Sequence, residues 1–105
     1  MCEQERRRAR RVKIGQRLKA RPSDPKHDHF EEFNKTRNVS STGIYFTTRR
    51  ESYLRGMRLF VTVPYYSPTD QWNCEYLAEV VRVEKLDNGE RGVALQLLSS
   101  LGLAR

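Results

Sequence analysis

At 105 residues, 37% hydrophobic and 31% charged, the chain can build one small domain with a modest core, but not an enzyme with separate cofactor and substrate domains. No stretch approaches the ~20 apolar residues that cross a bilayer, and no apolar segment follows the arginine-rich start, so a membrane span and an export signal are both disfavoured. Cys2 and Cys74 form no C-x-x-C, which predicts two free thiols in a cytoplasmic protein rather than a disulfide scaffold or a zinc site.

The formal charge of +7 is concentrated at one end. Residues 1–21 hold nine basic groups against Glu3 and Glu5, while the remaining residues balance. A neutral body with one cationic arm would gather a phosphate-bearing partner.

After the arginines, Val12, Ile14, Leu18 and Ala20 recur on even positions, predicting a half-buried strand broken in pattern only by Gln16. Residues 22–29 read as a loop, with Pro22, Pro25, Asp24 and Asp28. Phe30 to Asn38 is predicted as a second strand with a bulge or late start, because Phe30 and Phe33 are out of phase. Asn38 to Gly43 is turn chemistry, and Ile44 to Thr48 a third strand of β-branched and aromatic residues. Arg49 to Arg55 is a polar excursion ended by Gly56. Met57, Leu59, Val61 and Val63 then mark a fourth strand. Beyond the loop from Tyr65 to Cys74, strands over 75–86 and 91–98 flank Asp87-Asn88-Gly89-Glu90, a hairpin signal for a type I′ turn. Ser99 to Arg105 has room for at most two helical turns. Six short strands without a long amphipathic helix predict an all-β antiparallel barrel, whose closure would remove exposed edges.

Two constellations stand out. Arg6, Arg7, Arg8, Arg10 and Arg11 crowd ahead of the first strand. Guanidinium grips two phosphate or guanine acceptors at once and stacks on a purine face. Read alone, such a run is equally an ordinary basic tail. Asn38-x-Ser40-x-x-Gly43 supplies short donors and acceptors, plus a glycine that permits positive φ or close approach of a ligand. Read alone, it is plain turn punctuation.

Together, Arg7-x-x-x-Arg11 followed by Asn38-x-Ser40-x-x-Gly43 resembles the signature of the PilZ domain family. The resemblance implies a six-stranded antiparallel PilZ-type β-barrel over 12–105. A flexible basic N-terminal arm would occupy 1–11, and a short tail or helix would end the chain. It implies binding of the bacterial second messenger cyclic di-GMP, with no enzymatic activity and no metal. Arg7 and Arg11 would hold guanines and phosphates, with Arg6 matching a frequent additional arginine. Asn38, Ser40 and Gly43 would contact a guanine from the barrel wall. Asn38 stands where many members have Asp, so the corner brings no negative charge to the guanine N1–H and N2–H donors. Ligand would order the arm over the barrel, and an unidentified effector protein would read the ordered surface.

Two alternatives stay open on the residues. Tyr45, Phe46, Phe60, Tyr65, Tyr66 and Trp72 could form a base-stacking platform on a single-stranded nucleic-acid-binding barrel, although the basic groups lie apart from them. A PilZ-like interaction module without nucleotide binding is the other. His27-Asp28-His29 lacks further Cys or His nearby to complete a tetrahedral metal set, and no Ser/His/Asp or Cys/His arrangement supports catalysis.

Overall fold

The computed structural model describes residues 15–103 except 25, 27, 28, 68 and 70–72. Seven strands form one sheet: β1 (Arg17–Pro22), β2 (Glu32–Lys35), β3 (Asn38–Val39), β4 (Gly43–Thr48), β5 (Arg58–Thr62), β6 (Cys74–Lys85) and β7 (Arg91–Leu103). Their order is β2-β1-β5-β6-β7-β4-β3, with every pairing antiparallel. There are seven strands rather than six because the strand expected over 30–38 breaks at Thr36. There the buried Thr36 Oγ1 accepts from Gln16 N–H at 2.9 Å, and Thr36 N–H donates to Gln16 O at 2.8 Å.

β2 and β3 sit at opposite ends of the strand order, yet only Thr36 and Arg37 separate them in the chain. So short a link forces the sheet to curl until its ends meet. The seam carries no continuous backbone ladder, which corrects the expectation of a barrel closed by pairing. Instead Arg37 N–H donates to Tyr45 O at 2.7 Å, and the Asn34 side-chain amide donates to Thr47 O at 2.9 Å.

Period-two patterning accounts for the core. Leu18 and Ala20, Ile44 and Phe46, Leu59 and Val61, Tyr76, Ala78 and Val80, and Val93 and Leu95 all point inward and are buried. Phe46 is the largest fully buried side chain among the described residues. At about 25 cal/mol per Å² of apolar area, such inward rows are what hold so small a sheet together. Tyr53, in the polar excursion after β4, also reaches the core, its ring meeting Phe46 and Phe30 edge-on at 5.5 and 5.3 Å.

Three local expectations are corrected. The β6–β7 turn is a three-residue loop in which Leu86 N–H donates to Glu90 O at 2.8 Å. Gly89 alone has positive φ there, at 82°, so the turn is not type I′, which needs positive φ at both central positions. Residues 99–103 continue β7 instead of turning helical, because Cys74 to Leu77 of the long β6 offers backbone partners to Ser99–Leu103. Cys74 is buried and disulfide-bonded rather than a free thiol.

Candidate functional site

The Asn38-x-Ser40-x-x-Gly43 corner joins β3 to β4 as a tight turn, in which Ser40 N–H donates to Gly43 O at 2.9 Å. Ser40 Oγ accepts from the backbone N–H groups of Thr42 and Gly43 at 3.3 and 3.2 Å. Its hydroxyl oxygen therefore shapes the turn first, as serine commonly does. Gly43 does not adopt positive φ. A Cβ at that position would lie 3.0 Å from Leu95 O, so the glycine serves the close approach of β4 to β7.

Asn38 differs from its neighbours in the motif. Its side-chain amide makes no hydrogen bond within the described residues, and it lines two grooves that meet at this corner. One, of ≈ 730 Å³, runs along Lys35, Thr36 and Arg37 to Gly15. The other, of ≈ 420 Å³, crosses the outer face of the sheet past Ser40 and Tyr45 to Arg82 and Glu84. Gly15, the first described residue, lines the same groove as Asn38. Arg6, Arg7 and Arg11 lie outside the described residues.

The second groove contains functional candidates that sequence reading missed. Register places Asn38 opposite Tyr45, Tyr45 opposite Ala94, and Ala94 opposite Arg82, a single row across β3, β4, β7 and β6 on the outer face. Tyr45 donates its hydroxyl to Glu84 Oε2 at 2.9 Å, and Arg82 Nε lies 3.5 Å from Glu84 Oε1. Desolvation first, and then the bond to Glu84 and its charge, raise the Tyr45 pKa above the ordinary 10.0, so the hydroxyl remains a donor at neutral pH. The Tyr45 ring lies over Gly92, where any Cβ would collide with the ring and its oxygen.

The family model for the PilZ domain matches residues 5–102, spanning both the arginine run and the corner. The chain belongs to the PilZ family. PilZ domains form a family of cyclic di-GMP receptors and are binding and regulatory modules. Among solved structures, the Bacillus subtilis inhibitor of motility (MotI/DgrA) superposes on this PilZ domain with a TM-score of 0.64 at 16% identity, a likeness of fold. The match covers 86% of this chain and 41% of that one, so this chain corresponds to less than half of that protein. No curated protein matches the sequence.

The aromatic residues of this PilZ domain do not gather into one stacking surface among the described residues. Phe46 is in the core, Tyr45 leans toward Glu84, and Arg21 covers Phe60 at 4.5 Å. Tyr65 packs on Phe33 at 5.3 Å, and Trp72 lies outside the described residues. Among the described residues no three His, Cys, Asp or Glu side chains converge on a metal-sized site. His27 and Asp28 fall outside them, while His29 is exposed. No helix among the described residues is long and apolar enough to cross a membrane.

Proposed function

We propose that this PilZ domain is a cytoplasmic, non-enzymatic receptor for cyclic di-GMP. In this reading residues 1–11 act as a basic arm on a barrel domain of 12–105. Arg6, Arg7 and Arg11 clasp the ligand against the corner of Asn38, Ser40 and Gly43. The observation that carries the reading is the groove lined by both Asn38 and Gly15, a residue only four positions after Arg11 in the chain. An extended chain covers at most ~3.3–3.6 Å per residue, so Arg11, four positions before Gly15, is within ~14 Å of that groove's wall.

The physics of the clasp is charge-assisted. Closely spaced arginines repel one another, and a cyclic dinucleotide brings two phosphate charges and two flat bases to relieve that repulsion. Pinning the leader against the corner changes the surface that an effector protein meets. Each clasping arginine contributes ~1.5–3 kcal/mol, so Arg7→Ala and Arg11→Ala should each weaken binding at least about tenfold. Calorimetric titration of the intact chain with cyclic di-GMP checks this, and unchanged affinity in both variants would contradict it. A single-stranded oligonucleotide serves as control, since polynucleotide binding falls steeply with salt across many phosphates whereas a dinucleotide presents two.

A further inference from the structure

A cyclic dinucleotide of guanine has two bases, and the corner at Asn38 is one wall of a groove with a second wall. Three strand-to-strand steps of ~4.8 Å separate the row from Asn38 to Arg82, about 14 Å in all. Between the walls β7 contributes the small Ala94, and beside it the Tyr45 ring covers Gly92. On the far wall stands Glu84, the one carboxylate among the described residues that line this groove.

We infer that Glu84 reads the Watson–Crick edge of the second guanine, with Tyr45 as its positioning residue and Arg82 as its counter-charge; this rests on the cyclic di-GMP reading above. Guanine presents N1–H and N2–H as adjacent donors, and a carboxylate accepts both at once with charge assistance. The neutral amide of Asn38 has one carbonyl oxygen to offer. Tyr45 fills a single lone pair of Glu84 through Oε2, leaving acceptor capacity on both oxygens. The ring's seat over Gly92 fixes where that hydroxyl points. Arg82, at 3.5 Å from Oε1, offsets the negative charge that would otherwise repel the ligand's phosphates. The side chains of Glu84 and Arg82 are 44% and 61% exposed, so both are open to a ligand entering the groove.

The test compares cyclic di-GMP with the hybrid cyclic GMP–AMP, which has one guanine, on the intact wild-type chain and on Glu84→Gln. The hybrid can satisfy one wall only. Wild type should prefer cyclic di-GMP by about tenfold, the usual worth of a bidentate base contact, and Glu84→Gln should bring the two ligands within about threefold of each other. Tyr45→Phe should narrow the preference less, since it loosens the carboxylate without removing it. Wild-type preference retained in Glu84→Gln, with its thermal transition unchanged, would overturn this assignment and leave the receptor function standing. Failure of wild type to bind either dinucleotide would overturn both.

Discussion

Among the described residues, Glu32 and Glu84 each accept a hydrogen bond from a tyrosine, and their surroundings give them different work. Glu32 sits at the seam of the sheet with its side chain 12% exposed, and both oxygens are engaged. Oε1 accepts from Tyr53 at 2.6 Å; Oε2 accepts from Thr48 at 2.6 Å and Asn34 at 2.9 Å. Arg50 lies 3.7 Å from Oε1, with its guanidinium stacked 4.4 Å over Phe30. Among the described residues Glu84 meets Tyr45 and Arg82, at an open groove. A carboxylate so little exposed must be partnered to be tolerated, and once partnered it fastens β2 to β4 and to the following loop. An exposed one can keep acceptor capacity for a ligand. Burial, rather than residue type, separates the structural acid from the recognition acid.

The sharpest way to break this contrast is Glu32→Ala. It leaves the hydroxyls of Tyr53 and Thr48 without their acceptor and the Arg50 guanidinium without its counter-charge, and should cost about 3–5 kcal/mol in chemical denaturation. A loss under about 1 kcal/mol would mean that the seam does not depend on this acid.

Next in size is an alkaline effect. Burial, and then the bond to Glu32 and its charge, hold the Tyr53 pKa well above the ordinary 10.0. The contribution is therefore complete below pH 10, where the phenol is protonated in both states. Above it the unfolded chain gives up the proton while the folded one keeps it, so stability falls by up to ~1.4 kcal/mol per pH unit. Tyr53→Phe should remove that component from the slope of stability against pH, as read by urea melts between pH 9 and about 11.5. Smallest of all, Glu84→Gln should change stability by less than about 0.5 kcal/mol, as for other exposed ion pairs, while changing base preference. A large stability loss there would move Glu84 into the same structural class as Glu32.

Much of the fold was legible because alternation is a local property. The rows of Leu18 and Ala20, and of Met57, Leu59, Val61 and Val63, are buried as their spacing implies. The Asn38-x-Ser40-x-x-Gly43 corner lies between strands as read, and the family resemblance drawn from it holds. The joint role of Glu32 and Tyr53 was not legible. Glu32 falls in the strand expected over 30–38 and Tyr53 in a polar excursion, and only the curl of the sheet brings β2, β4 and the loop after β4 together around them.

The second wall of the groove shows where local reading stops. Even positions of β6 face inward from Cys74 through Val80, and continued alternation would have sent residues 82 and 84 into the core. A register shift between Val80 and Arg82 breaks the phase, leaving Val81 without an opposite residue on β7. Val83 then packs against the core, and Arg82 and Glu84 turn outward beside Tyr45. Residue order alone therefore established the strand faces, the cationic leader and the Asn38 corner, each of which depends on near neighbours. Which side of the sheet receives Glu84, and that it lies across from Asn38, depended on a one-residue bulge and on pairing four strands distant in sequence. Those are long-range contacts, and no window of adjacent residues contains them.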